Sequence, residues 1–528
     1  LNKQTFIQGT MILLVAGIVN RILGFIPRIL LPRVIGAEGV GLYQLGYPFF
    51  LVLVTIISGG IPLAVAKLVA EAESEGRSYR SAVILRTSLI FSIVAGCLFM
   101  LICLLGAPWV SRYILTDPRV YQTFIAMSPM IIIVSVSAVY RGYFQGKQDM
   151  IPSAVSSILE TIARIICVLW FSFLLLPKGI EYAAAGAMLG VVVGEVIGLA
   201  VLLWQYQRLR SREARAQRKM KKQKTEEHRP FTKLFVPSLG RIMRVAIPVT
   251  GGKLVGSMSY LLESITTAQS LAIAGIATAV ATSQYGALQG MIIPLLLLPG
   301  ALTSSLAISL VPSLAEAQAK GDMRTIHLRL HQSLRLALVT GAPFAVIMYV
   351  LAEPLCLLIY KNTEIAGMLK TMAPFAIFLY AQAPLQATLQ ALDKPGRALI
   401  NTLIGAIVKI SLIFYLASNP DFGIYGAVIA IIVNFVIVTI LHSFSVSRSL
   451  HYRLPWLDLI KVCCLMIIMA GATTFMFNEV IMSSSMILQF IATSMIAGIL
   501  YVALAGFIGL IDFQDVKRLP LLRKWFTQ

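Results

Sequence analysis

Arg21 and Arg28 stand inside the first long apolar stretch, residues 5–35. They are seven residues apart, so on a helix they share one face about two turns from each other. Gly17 and Gly24 fall on the same stripe. A charge at mid-bilayer costs about 2.5–3.5 kcal/mol on insertion scales, so both guanidinium groups are expected to face a wet cavity or a partner. No carboxylate lies within a helical turn to neutralise them. A basic groove inside a membrane is a place for an anion.

Further charges interrupt later apolar stretches. Arg164 follows Glu160 by one turn, the spacing of an ion pair within a helix. Glu195 sits among Gly190, Gly194 and Gly198, which allow close helix approach. It would either neutralise Arg164 or bind something. Lys253 opens the second half of the chain, and Glu263 follows ten residues on, close to the same face. Glu263 would either take up a proton or coupling cation or hold Lys253 when the site is empty. Lys409 is a further cation inside an apolar stretch. For Arg164 and Lys409 a tie between spans competes with substrate contact.

Other chemistry is weak. His327 and His331 are four apart, yet no acidic residue follows His327 as a zinc-hydrolase helix requires, and neighbouring Arg324, Arg329 and Arg335 place them at a charged edge. No G-x4-G-K-[ST] loop is present, and no serine–histidine–acid arrangement stands out. The six cysteines lie in apolar segments without zinc-ligand spacing and read as packing residues. Neither catalytic residues, a metal nor a cofactor is expected, apart from a coupling cation or proton.

The elements that carry these residues are membrane spans. The 528-residue chain is 58% hydrophobic and 13% charged, and its mean hydropathy is +0.83. A soluble domain of this size would carry about twice that charge. Apolar runs long enough to cross a bilayer recur throughout, so the expected fold is an all-α polytopic membrane protein of about 14 transmembrane helices. They fall near 5–35, 40–70, 82–107, 120–144, 151–176, 181–206, 241–272, 280–314, 328–352, 365–391, 397–417, 423–447, 457–478 and 484–511. The first is too long for a cleaved signal peptide and is interrupted by Arg21, so it is expected to stay attached.

Loops after even-numbered spans hold Arg77 and Arg80, Arg141 and Lys147, the Arg208–Lys233 run, Lys320 and Arg324, Lys394 and Arg397, and Arg448 and Arg453. The other loops hold scattered cases, so the even side and both termini are expected in the cytoplasm. The net charge of +21 then reflects cytoplasmic loops rather than nucleic-acid binding. The basic run reads as a solvated linker near anionic headgroups. The expected divisions are an N-lobe at 1–207, a basic cytoplasmic linker at 208–238, a C-lobe at 239–450, two extra spans at 451–512 and a basic cytoplasmic tail at 513–528.

The two halves repeat. Ala70-Glu71-Ala72 with Gly76 matches Ala315-Glu316-Ala317 with Gly321, an offset of 245. The same offset relates Met127-Ser128-Pro129 to Met372-Ala373-Pro374, Gln145 to Gln390 and Arg164 to Lys409. At another offset, Arg21-Ile22-Leu23-Gly24 matches Lys253-Leu254-Val255-Gly256. Each half has an even number of spans, so the two are expected to form pseudo-symmetric six-helix lobes, with Arg21 and Lys253 at similar depth. Repeats of this kind mark transporters, with the site near the midplane.

Asn20-Arg21-Ile22-Leu23-Gly24-Phe25, Arg33-Val34-Ile35-Gly36, Gly39-Val40-Gly41-Leu42-Tyr43 and Ala64-Val65-Ala66-Lys67-Leu68-Val69-Ala70-Glu71 carry a family resemblance. So do Tyr140-Arg141-Gly142-Tyr143-Phe144-Gln145-Gly146-Lys147-Gln148, Gly179–Met188 and Ala268–Gly275. Over nearly its whole length the chain resembles the polysaccharide-export flippases of the multidrug/oligosaccharidyl-lipid/polysaccharide superfamily, and within them a sporulation branch. The resemblance implies a V-shaped, two-lobed bundle alternating between inward-open and outward-open states. It implies outward movement of an undecaprenyl-pyrophosphate-linked precursor such as lipid II for spore cortex peptidoglycan. In such flippases, first-span arginines meet the diphosphate. Arg21 falls on one such position; Pro27 replaces the second, with Arg28 one residue on. The basic residue that those relatives carry midway along the second span has no counterpart.

The expectation is therefore a flippase of the cell membrane and not an enzyme. Arg21, Arg28, Lys253 and Glu263 would line its central cavity, and Glu160, Arg164, Glu195 and Lys409 would be cavity or structural charges. Its partners would be a lipid-linked saccharide, membrane lipids and cortex peptidoglycan synthases. The rival expectations are export of another lipid-linked polysaccharide, a cation-coupled drug antiporter, and a sporulation scaffold that transports nothing.

Overall fold

A bilayer offers no water to backbone amides, so an apolar chain crossing it must satisfy them internally, and a helix does so within one segment. The computed structural model describes residues 6–76, 78–219, 231–452, 455–480 and 485–510. Among the described residues every regular element is helical. Part of the linker run (220–230), the tail (513–528), Arg77 and Arg453 lie outside them.

The chain divides by contacts into two compact units, Leu1–Gly290 and Met291–Gln528. The first holds α1 (Phe6–Ser58), α2 (Ile61–Ser74), α3 (Ser78–Trp109), α4 (Val120–Met127), α5 (Met130–Gly146), α6 (Ile151–Leu175), α7 (Ile180–Lys219), α8 (Phe231–Ile273) and α9 (Thr278–Gly286). The second holds α10 (Ile293–Leu297), α11 (Gly300–Ala319), α12 (Met323–Val350), α13 (Ala352–Tyr360), α14 (Ala366–Met372), α15 (Ala376–Ala391), α16 (Pro395–Ala417), α17 (Ile424–Leu450), α18 (Trp456–Phe475) and α19 (Met486–Phe507). In the first unit α8 and α9 pack on α1.

Among the described residues twelve helical segments are long and apolar enough to cross a membrane. They cover thirteen of the fourteen expected spans, the one near 280–314 only as far as Leu297, and leave out the one near 365–391. Met11–Ser74 is one segment of 64 residues, which at 1.5 Å per residue is about three times the thickness of a hydrocarbon core. It therefore covers two expected spans, bent at Gly36, whose φ is 67°. The span expected at 365–391 is broken into α14 and α15 by a tight 3-10 turn at Ala373–Phe375.

The sequence repeat extends to the backbone. α2 and α11 both end in a residue of right-handed conformation followed by a left-handed glycine, Gly76 at φ 70° and Gly321 at φ 68°. The same offset relates two further left-handed pairs that carry side chains: Thr116 (60°) with Lys361 (56°), and Gln148 (58°) with Asp393 (55°).

Each unit has its own apolar core. In the first, one cluster joins α1 to α4, α5 and α7, with Ala268 and Tyr285 from α8 and α9. A second joins α2, α3, α5 and α7 to Ile242 and Ala246 of α8. In the second unit one cluster runs through α11, α12, α15 and α17 into α18 and α19. The α6–α7 contact is the closest-packed of the expected glycine faces. A Cβ added at Gly190 would lie 2.3 Å from the Val168 amide nitrogen, and one at Gly194 2.8 Å from the Arg164 Cβ.

Candidate functional site

The α1 stripe faces open space. Arg21 and Arg28 are both exposed, and a Cβ added at Gly17 or Gly24 would meet nothing within 4 Å. Among the described residues no carboxylate pairs with either arginine. The Arg28 guanidinium lies 5.7 Å from the centre of the Phe25 ring, and the neighbouring Asn20 amide donates to Ser157 on α6. The helix is thereby tied to α6 on one side while its basic stripe stays uncovered.

The corresponding stretch of α8 is open in the same way. Gly251, Gly252 and Gly256 would each accept a Cβ with nothing within 4 Å. Lys253 is exposed, but its Nζ donates to the carbonyl oxygen of Gly59 at 2.7 Å. Glu263, farther along α8, is 6% exposed. Its carboxylate accepts a 2.7 Å bond from Gln289 Nε2. Thus the Lys253 amine goes to the α1–α2 junction and the Glu263 carboxylate to Gln289.

Arg164 and Glu160 form the ion pair that their spacing suggests, at 3.4 Å. The second oxygen of Glu160 accepts from Arg141 Nη2 at 2.5 Å. Sequence reasoning assigned Arg141 to a cytoplasmic loop. It lies in the last two turns of α5 and reaches back into the bundle to Glu160, itself 6% exposed. Glu195 on α7 is within electrostatic reach of Glu160, Arg141 and Arg164. These four charges form one cluster between α5, α6 and α7. Lys409 is half-buried on α16 in the other unit.

Several polar residues between these charges escaped the sequence reading. Tyr43 and Tyr47 of α1 are half-buried, and both Arg28 and Arg164 lie within electrostatic reach of their phenols. Between them Gln44 Oε1 accepts from Tyr260 Oη of α8 at 3.3 Å. The available signal was Tyr43-Gln44 followed by Tyr47 at one-turn spacing inside an apolar span. Nearer the 115–119 loop, Arg119 forks onto Asp117 with bonds of 3.0 and 2.9 Å and reaches Glu38 at 2.5 Å. The bond to Asp117 raises the Arg119 pKa above its usual value, against the opposing cost of burial.

His327 and His331 turn to separate partners. His327 Nε2 lies 2.9 Å from the Leu450 carbonyl and His331 Nε2 lies 3.2 Å from Asp458. Among the described residues no group of three potential ligands gathers. All six cysteines are free thiols.

The first unit therefore offers two guanidinium groups that have no carboxylate partner among the described residues, with an aromatic–amide patch within electrostatic reach of Arg28. Such groups bind and hold an anion; charge-assisted hydrogen bonds from arginine suit phosphate oxygens.

A family model described as polysaccharide biosynthesis protein matches residues 6–318, and a second, MatE, matches residues 257–415. Stage V sporulation protein B of Bacillus subtilis (strain 168) is 43% identical over 449 residues, covering 85% of each chain. Lipid II flippase MurJ of the same organism is 24% identical over 485 residues, covering 89% of this chain and 87% of that protein. A solved structure described as lipid II flippase MurJ in an inward closed conformation has a TM-score of 0.70 at 16% identity, covering 96% of this chain and 99% of its own. The chain stands with transporters and flippases rather than with enzymes. Its membrane-spanning helices, its internal repeat and these matches lead to one assignment: the chain belongs to the polysaccharide biosynthesis protein family, within the multidrug/oligosaccharidyl-lipid/polysaccharide flippase superfamily.

Proposed function

We propose that this protein moves an undecaprenyl-pyrophosphate-linked cell-wall precursor, lipid II for spore cortex peptidoglycan, from the inner to the outer leaflet of the cell membrane by alternating access. The observation that carries the reading is the pair Arg21 and Arg28, exposed on an apolar helix whose intervening glycine faces open space. Two fixed cations in a membrane need an anion, and a lipid diphosphate supplies one that is already anchored in the bilayer. The saccharide headgroup would cross in the wet groove while the prenyl tail stays in lipid. The similarity to stage V sporulation protein B and to a lipid II flippase supports the substrate class and the sporulation setting.

Arg21, Arg28 and Lys253 hold the diphosphate in this reading. Glu263, buried and bonded to Gln289, would take up the coupling proton or cation. The distribution of basic loops favours a topology with the even side of the bundle and both termini in the cytoplasm. Cortex synthases on the outer face would consume the delivered precursor.

Flipping of labelled lipid II in proteoliposomes tests this, with wild type beside Arg21→Ala and Arg28→Ala. The expected result is wild-type transport that either substitution reduces at least about tenfold, a loss that one charge-assisted contact to phosphate can account for. Wild-type rates from well-folded variants would refute the groove. No lipid II transport by wild type under applied pH and voltage gradients would refute the substrate.

A further inference from the structure

Tyr43 and Tyr47 stack one turn apart on α1, with ring centroids 6.2 Å apart and planes 10° from parallel. Phe50 continues the row, 6.0 Å from Tyr47. One side of each tyrosine rests on the α1–α4–α7 core, yet both remain half-buried. Two core tyrosines tie off their hydroxyls, Tyr360 to the Met291 carbonyl at 3.0 Å and Tyr380 to the Leu296 carbonyl at 2.9 Å, whereas Tyr285 and Tyr501 bury theirs without a partner among the described residues. Among the described residues neither the Tyr43 nor the Tyr47 hydroxyl has a protein partner, and neither is a buried unsatisfied atom. Their tips therefore face accessible space. Inside a bilayer that space must be wet or filled by a polar ligand, because an unpaired hydroxyl in hydrocarbon is costly.

The surroundings are those of a saccharide subsite. Flat aromatic faces receive the C–H face of a pyranose, and phenol and amide groups beside them bond its hydroxyls. Gln44 supplies the amide, held in place by Tyr260 at 3.3 Å. Arg28 and Arg164 are within electrostatic reach of both phenols.

We infer that Tyr43, Gln44 and Tyr47 form a saccharide-binding platform next to the arginine stripe, which stacks the sugar bonded directly to a lipid diphosphate. This deepens the reading above and rests on it. A diphosphate held by Arg28 has its first sugar one bond away, so the subsite for that sugar must lie within reach of Arg28, and both phenols are within its electrostatic reach. Selection between glycosylated and bare carriers then belongs to the tyrosines, and anchoring of the carrier to the arginines.

The test measures binding to the full chain in nanodiscs with two labelled probes: undecaprenyl diphosphate carrying the disaccharide–pentapeptide, and undecaprenyl diphosphate without sugar. The variants are Tyr43→Leu/Tyr47→Leu, Tyr43→Phe/Tyr47→Phe and Arg28→Gln. The double leucine variant should weaken the glycosylated probe about tenfold and leave the bare probe within about twofold, the scale expected for loss of two stacking faces. The phenylalanine variant keeps those faces and should retain most of the affinity. Arg28→Gln should weaken both probes alike. Unchanged affinity of the leucine variant for the glycosylated probe overturns the platform, and so does an equal loss of both probes. If either occurs while Arg28→Gln still weakens both, the diphosphate reading stands without the platform. If wild type binds neither probe, or Arg28→Gln changes neither, both readings fall.

Discussion

Lys253 Nζ donates a 2.7 Å hydrogen bond to the carbonyl oxygen of Gly59. Gly59 follows the last residue of α1, where helix carbonyls lack a partner and the helix dipole presents its negative end. A lysine from another helix is a natural cap for that end. The residue matched by the repeat to Arg21 is thus engaged in this conformation, whereas Arg21 is open. Lys253 would have to leave Gly59 to reach a diphosphate. Lys253→Met, which keeps the apolar stem, should lower stability by only about 1 kcal/mol, the value of a cation at a helix C-terminus. Transport per folded molecule should fall at least about tenfold if the amine also binds diphosphate. Thermal unfolding in detergent beside the flipping assay separates the two roles; a purely structural cap would leave the transport rate of the folded fraction unchanged.

Glu160 carries a different burden. Its two oxygens are taken by two arginines, Arg141 at 2.5 Å and Arg164 at 3.4 Å. Removing the shared carboxylate leaves two cations facing each other in a poorly solvated place. Breaking a fully buried pair costs about 3–5 kcal/mol. The arginine side chains here are 32% and 31% exposed, so about 2 kcal/mol is expected for Glu160→Gln once solvent screening is allowed for. Glu195→Gln should cost less, because Glu195 is partly exposed and neither arginine makes its ion pair with it. Denaturation of both variants decides the order. A Glu160→Gln protein as stable as Glu195→Gln would mean that this cluster does not tie α5, α6 and α7 together.

The basic stripe on α1 could be read in advance because two local rules meet there: seven-residue spacing fixes the face, and the cost of a charge in hydrocarbon fixes what that face must meet. The Glu160–Arg164 pair was legible for the same reason, being four residues apart. Arg141 was not. It lies close to a basic loop, so counting cations by loop assigned it to topology, and only the fold reveals a partner 19 residues away on the next helix. Arg119 and Glu38 are 81 residues apart in sequence, and no local pattern joins them. The repeat was visible through its glycines and prolines, but left-handed Thr116, Lys361, Gln148 and Asp393 bear no residue-type signal that would have announced them. The span near 365–391 was found as an apolar stretch, while its break depends on a short tight turn that hydropathy does not register.

Glycine openness and glycine crowding can be told apart experimentally, because the same substitution has opposite consequences at Gly24 and Gly41. A Cβ at Gly41 would lie 2.0 Å from the Thr282 carbonyl oxygen, and one at Gly286 2.1 Å from the Ala37 carbonyl oxygen. Beside this contact Asp117, 1% exposed, accepts a 2.7 Å bond from Thr282 Oγ1 and is forked by Arg119. α1 and α9 are therefore pressed together backbone to backbone, with a buried polar clasp at their side. Gly41→Val must push a backbone apart, and overpacking of this kind costs about 2 kcal/mol or more. At Gly24 nothing lies within 4 Å, so Gly24→Val adds a side chain to open space and removes a flexible residue from a helix. Its stability should be unchanged within about 0.5 kcal/mol or slightly improved. Its transport should fall, because the added isopropyl group stands between Arg21 and Arg28 on the stripe. Unfolding and flipping assays on the two variants together give the decision. A Gly24→Val protein that transports at the wild-type rate would mean that the open side of α1 meets lipid rather than substrate.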